Sequence, residues 1–304
     1  MTQIICCIKK DLLEVIRNRR ALLFNGLLIA VTVMVLGTTL AFPSLIDLLV
    51  EKAPDMVADG SQIQQVMAKL FPQTVKENMG IWASDIIIFF TIAISLVCCN
   101  LLPSEIRSGK WILVMEAGYS HWQMLFSKML VYGSCTAFPV FVGYNLYYAL
   151  CGIFVSDNYS SAIALGNSVV IAVAVFFITT LSITLSVIYK NHIMAVITMV
   201  ITVLAAPDIL TMFSFGKLFP TYLLTFIYNS SDTFAELIIP CITLIILQLG
   251  LCYIAISSSD NVATIVVVET NHCSADEEEV FSCLPVQQCT ENNSVNSVKI
   301  CFDV

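Results

Sequence analysis

Apolar and polar residues follow one another along this chain in long blocks, and the blocks define its elements. In residues 1–20 the periodicity is helical. At 100° per residue Ile4, Ile5, Ile8, Leu12, Val15 and Ile16 share one face, with Lys10, Glu14 and Arg17 on the other. That is the pattern of an amphipathic helix lying flat on a bilayer. The basic cluster Arg17, Arg19, Arg20 leads into an apolar run, 21–42, long enough to cross about 30 Å of hydrocarbon. A cleaved signal peptide has a shorter apolar region, about 7–15 residues, so the run reads as an uncleaved first span. Residues 43–82 are broken by Pro43, Pro54 and Pro72 and hold Ile63, Val66, Met67 and Leu70 at helical spacing. They predict a long outside connector carrying one amphipathic helix.

Further apolar runs occupy 83–102, 129–155, 163–189, 193–206 and 237–256. Pro139 falls in the middle of the third span, where its missing N–H frees a carbonyl. The same span holds Tyr144, Asn145, Tyr147 and Tyr148, read as packing against another helix, with a translocation path as the alternative. The fifth run is short and stops at Pro207 and Asp208, with a continuation through 209–215 open. Residues 216–236 form a second outside segment. The expected fold is therefore all-α and polytopic: an interfacial helix over 1–20, six transmembrane helices over 21–256 and a tail over 257–304.

Basic residues near the span ends orient the chain. With the N-terminus in the cytosol, nine lie inside (Lys9, Lys10, Arg17, Arg19, Arg20, Arg107, Lys110, Lys128, Lys190) and four outside (Lys52, Lys69, Lys76, Lys217). Both termini are expected in the cytosol, in a multi-pass protein of the cell membrane.

Composition agrees with this plan. A chain that is 58% hydrophobic and 12% charged, with mean hydropathy +0.87, does not form an ordinary water-soluble domain. The net charge of -8 draws on the acidic run Asp276, Glu277, Glu278, Glu279, and no basic face for a nucleic acid is present. None of the 12 cysteines lies in the segments read as outside, so no disulfide framework is implied. Cys273, Cys283, Cys289 and Cys301 of the tail lack the close pairs of a zinc site, and no metal is expected.

The chemistry points away from catalysis. The phosphate loop GxxxxGK[ST] is absent: Gly109-Lys110 and Gly216-Lys217 lack the preceding glycine and the following Ser or Thr. Neither HExxH nor GxSxG occurs. Asp85, Lys190, Asp208 and Glu236 fall at predicted span ends, which disfavours ion-coupled secondary transport. Asn25, Asn145, Asn167 and Gln248 cannot titrate and suit helix-to-helix hydrogen bonds.

The long polar interruption on the basic side runs over 103–129. Ser104 suits a helix N-cap, and Ile106, Ile112, Leu113 and Met115 alternate with Glu105, Arg107, Lys110 and Glu116 as in a helix half in the headgroups, punctuated by Gly109 and Gly118. Glu105, Arg107, Ser108, Gly109, Ser120 and Lys128 resemble the first cytosolic loop of type-2 ABC-transporter permeases, with departures at Ile106, Lys110 and Gly118. The order of elements over residues 1–256 is similar as well. The resemblance implies a permease that pairs with a second copy or a paralogue, and a separate cytosolic ATPase that hydrolyses ATP while gripping the loop between spans two and three. It implies that Glu105 and Arg107 contact the ATPase or a neighbouring helix, that Gly109 allows close approach, and that Lys128 anchors the third span. No catalytic residue or cofactor is expected in this chain; the other partner is the bilayer, met by Lys10, Arg17, Arg19 and Arg20. Two other classes remain open: a membrane scaffold or assembly subunit that docks a soluble partner, and a channel or carrier that needs no ATPase.

Overall fold

The computed structural model describes residues 2–52, 74–154, 159–189, 191–205, 209, 223 and 237–273. Among these residues the chain is all-helical, and five helices are long and apolar enough to cross a membrane: Arg20–Ala41, Val75–Arg107, His121–Phe154, Ser161–Tyr189 and Ile238–Ser257. The expected fifth of six spans appears as His192–Ala205, 14 residues closed by a π-helical turn. Its continuation beyond Ala205 lies almost wholly outside the described residues.

The elements are α1 (Thr2–Arg17), α2 (Arg20–Lys52), α3 (Val75–Cys98), α4 (Leu101–Arg107), α5 (Lys110–Glu116), α6 (His121–Phe154), α7 (Ser161–Tyr189), α8 (His192–Val200) and α9 (Ile238–Cys273). The chain divides into two units, Met1–Val262 and Ala263–Val304, the second described only as the last turns of α9. Residues 274–304, with the acidic run and three of the tail cysteines, lie outside the described residues.

Several boundaries differ from the sequence reading, each for a local reason. The first helix, expected over 1–20, ends at Arg17. Arg19 takes φ 54, the left-handed cap conformation, and Arg20 opens α2. α2 runs through Pro43 to Lys52, since a long helix survives the loss of one hydrogen bond to proline. α3 starts at Val75, eight residues before the expected second span. A capping box starts it: Thr74 Oγ1 accepts from Glu77 N–H, and the Glu77 carboxylate accepts from Thr74 N–H. The expected outer helix around Ile63 to Leu70 lies outside the described residues.

α7 is the most deeply packed of the five long helices, and α2 and α9 are the least. A Cβ built on Gly133 of α6 would lie 2.6 Å from the Phe176 ring of α7, and one on Gly143 would lie 2.9 Å from Leu28 of α2. These glycines set how closely α6 meets both neighbours, as small residues do where helices pack in lipid. Polar side chains reinforce the contacts: Thr136 and Thr179 hydroxyls meet at 2.8 Å, Trp82 Nε1 donates to Thr32 Oγ1 at 3.0 Å, and Thr39 donates to Asn78 at 2.9 Å. Trp82 stacks on Tyr147 at 5.7 Å and meets Tyr144 edge-on at 5.6 Å. Tyr148 donates to the Tyr159 carbonyl, and Asn145 to the Phe141 carbonyl of its own helix. The Tyr144 and Tyr147 hydroxyls are buried without a hydrogen-bond partner, so these two residues are held by their ring contacts with Trp82.

Candidate functional site

The polar interruption folds as a hairpin of two short helices. α4 follows α3 after Cys99 and Asn100, both with right-handed helical torsions, and buries Leu101, Leu102, Pro103 and Glu105. Ser104 is not the N-cap. It sits inside α4, its N–H bonded to the Asn100 carbonyl and its hydroxyl to the Leu101 carbonyl. Pro103 falls in the first turn, where its missing N–H leaves no gap in the helix.

Gly109, at φ 70, closes α4 by donating to the Ile106 carbonyl. Gly118, at φ 86, closes α5 with paired bonds, Gly118 N–H to the Met115 carbonyl and Tyr119 N–H to the Val114 carbonyl. A Cβ on Gly109 would meet nothing within 4 Å, so within this chain the glycine answers to backbone torsion and not to crowding. Ser120 then caps α6 in a capping box with Gln123. α6 therefore begins at His121, eight residues before the expected start of the third span. Lys128 does not open that helix; it lies two turns inside.

The consequence is a buried ion cluster. Lys128 is 1% exposed, and its Nζ lies 2.7 Å from Glu105 Oε1 of α4 and 3.3 Å from Asp11 Oδ1 of α1. Ser127 donates to the other Asp11 oxygen at 2.5 Å, and Lys10 approaches Asp11 at 3.9 Å from the surface. Two carboxylates and two ammonium groups thus balance. Buried charges survive only in such company, because an unpaired one loses its hydration for nothing.

A second polar contact lies nearby. Arg20, at the head of α2, donates to the Tyr132 hydroxyl, stands 5.8 Å from that ring's centroid and lies 3.8 Å from Glu14 of α1. Lys128 and Tyr132 are one helical turn apart on α6. α1 is therefore tied to α4, α6 and α2 by charge, with Cys7 and Val15 as its buried apolar contacts.

The site residues read from the sequence divide accordingly. Glu105 and Lys128 meet and are buried, while Arg107 and Lys110 are exposed on the hairpin. Lys10, Arg17 and Arg19 are exposed; Arg20 turns inward. Asp11, Ser127 and Tyr132 were not singled out in the sequence, and Glu14 was read only as part of the polar face of the first helix. For Asp11 a signal exists: it lies one turn from both Cys7 and Val15, so its carboxylate sits on the protein-facing side of an amphipathic helix. Half of the expected apolar face, Ile5, Leu12 and Ile16, stays exposed, available to lipid.

Burial pushes the Cys7 thiol above its ordinary value, with the Asp11 charge adding to the effect. Cys6 beside it is exposed. Compared with known protein families and with curated proteins, the chain matches none of them.

Proposed function

We propose that this chain is the membrane-spanning permease subunit of an ATP-driven exporter of the ABC type, moved by a separate cytosolic ATPase that presses on the α4–α5 hairpin. The observation that carries the proposal is the buried cluster behind the hairpin. Lys128 bridges Glu105 of α4 to Asp11 of α1, while Arg107 and Lys110 are left exposed. A hairpin fixed at its inner face and charged at its outer face is a handle: a push on it moves α6 and α1 as one body. The absence of a phosphate loop from the sequence requires the motor to be another chain. The loop's resemblance to type-2 permeases and the excess of basic residues at this end support the same arrangement, with hairpin and termini in the cytosol of a cell-membrane protein. A second copy or a paralogue completes the pathway in this reading.

The cluster also changes which variants test the proposal. Replacing Glu105 disturbs a buried ion pair and confuses folding with coupling. Arg107→Glu combined with Lys110→Glu alters the exposed face alone. Capture of the intact chain from native membranes is expected to bring down a P-loop ATPase subunit, and the double variant to lose it while still inserting. Capture of a soluble partner without a P-loop would favour a scaffold; unaided flux through the pure protein in liposomes would favour a channel.

A further inference from the structure

Charge is sorted by depth at the α1 end of the bundle. Over α1, the turn that follows it, α4 and α5, the bases Lys9, Lys10, Arg17, Arg19, Arg107 and Lys110 are exposed, against Glu116 as the exposed acid. The other acids of these segments turn inward: Asp11 and Glu105 to Lys128, and the half-buried Glu14 to Arg20. They are matched by inward bases and neutralise little of the surface. A strong positive excess is left outside.

Contacts along α6 bring these bases to one level although they lie far apart in the chain. Tyr132 receives Arg20, the first residue of α2, and Lys128, one turn away, holds Asp11 of α1 and Glu105 of α4. Those two α6 positions differ by about 6 Å in rise. Lys10 precedes Asp11, Arg17 and Arg19 precede Arg20, and Arg107 follows Glu105 by two residues. Exposed bases from separate segments therefore gather at nearly the same height.

That height is the edge of the hydrocarbon. Within one turn of Arg19 the chain exposes Leu22 and Leu23 of α2, and further along the same helix Ile29 and Val33. Apolar side chains exposed on a membrane-crossing helix face acyl chains, whereas a guanidinium stays out of them because losing its hydration costs too much. Arg17 and Arg19 thus stand where the headgroups are. The exposed Ile5, Leu12 and Ile16 keep α1 at the same boundary. Its bases are then within about 10 Å of the headgroups, the width of one helix and about one Debye length. A soluble acidic protein reaches the hairpin bases Arg107 and Lys110, but not bases set beside exposed leucines.

We propose that the α1 end of the bundle is a binding site for anionic phospholipid headgroups, with Lys9, Arg17 and Arg19 drawing their phosphates. The inference needs only that α2 crosses a bilayer. It leaves Arg107 and Lys110 aside and is independent of the exporter reading.

Native mass spectrometry of the full chain in neutral detergent, with phosphatidylglycerol or phosphatidylcholine added, tests it. Each base near an anionic headgroup is worth about fivefold in affinity. The parent is therefore expected to bind phosphatidylglycerol on the order of a hundredfold tighter than phosphatidylcholine. Lys9→Gln, Arg17→Gln and Arg19→Asn together are expected to abolish that preference; Asn suits the φ of 54 at position 19. Lys76→Gln, which removes an exposed base at the end of α3 remote from α4, is expected to keep it. Cys7 shielded from maleimide as in the parent marks an intact fold in the triple variant. If Cys7 becomes reactive there, the three single variants decide, each expected to lose about fivefold. Equal affinity for the two lipids in the parent overturns the proposal, as does a preference that survives the base substitutions or falls as far with Lys76→Gln. Inorganic phosphate bound as tightly as the lipid would mark a site for a soluble anion and overturns it too.

Discussion

Lys128→Met is the substitution that most directly tests the ion cluster. At an effective dielectric constant of 20, an ammonium 2.7 Å from one carboxylate and 3.3 Å from another gains about 6 and about 5 kcal/mol of gross Coulomb energy. Most of that is offset by the hydration Lys128 gives up on burial. What decides the outcome is the state left behind: Asp11 is 2% and Glu105 8% exposed by side chain, and without the ammonium Glu105 loses its ion pair while Asp11 keeps only the Ser127 hydroxyl and Lys10 at 3.9 Å. Removing one partner of a buried pair costs about 3–5 kcal/mol. At roughly 2 °C per kcal/mol for a chain of this size, Tm falls by roughly 6–10 °C. Melting is followed by tryptophan fluorescence of the detergent-purified chain. A local assay accompanies it: α1 docking buries Cys7 and leaves Cys6 exposed, so Lys128→Met exposes Cys7 to maleimide while Cys6 is alkylated as before. Neutralising the three buried members, with Asp11→Asn, Glu105→Gln and Lys128→Met together and the exposed Lys10 left in place, returns Tm to within about 2 °C of the parent, because replacing a buried ion group as a unit is nearly neutral. An unchanged Tm and a protected Cys7 in the single variant would refute the reasoning. So would a triple variant no better than the single one.

Two further outcomes follow from packing and from the thiol. Gly133→Ala places a methyl 2.6 Å from the Phe176 ring and destabilises by about 1–3 kcal/mol through overpacking, whereas Gly26→Ala, with nothing within 4 Å, gains up to about 1 kcal/mol of helix propensity; equal melting shifts would dismiss the close α6–α7 contact. Burial raises the Cys7 thiol from 9.0, so in the docked helix it keeps its proton to higher pH than in the undocked one. Its contribution to docking is whole below pH 9 and is lost as pH climbs through the raised value. The alkylation rate of Cys7 relative to Cys6 is therefore expected to rise beyond that pH, and a flat ratio from neutral to strongly basic pH would count against it.

The long apolar runs were legible because bilayer thickness imposes a length on them that sequence shows directly. The ends of helices were not, although the signals were written locally. Thr74 with Glu77 starts α3, and Ser120 with Gln123 starts α6; both boxes lie in stretches that hydropathy alone assigns to connectors. Moving the start of α6 back to His121 turns Lys128 from an interfacial anchor into a buried charge. Its partners lie 23 and 117 residues away in the chain, and no periodicity within one helix reveals such pairings. The α1 helix shows the complementary gap. Its amphipathic pattern was clear, but a single stripe does not say that Ile8 and Val15 pack on the bundle while Ile5, Leu12 and Ile16 face away.

That division of α1 bears on why the cluster is ionic. With Ile5, Leu12, Leu13 and Ile16 exposed while Cys7 and Val15 are buried, α1 carries apolar side chains on both its inner and its outer side, so hydrophobicity alone does not fix its register. Asp11, sharing Lys128 with Glu105, fixes register: a slip by one residue carries the carboxylate about 100° around the helix and out of reach. On the exporter reading, register matters more than stability, because the hairpin drives α1 and α6 only while all three move as one body. The neutral triple variant separates these roles. It is expected to melt like the parent yet to show reduced ATPase-driven export, with Cys7 alkylation faster than in the parent as the register loosens. Export at the parental rate from that variant, with Cys7 exposed, would mean that the push reaches the membrane helices by a route that leaves Lys128 out.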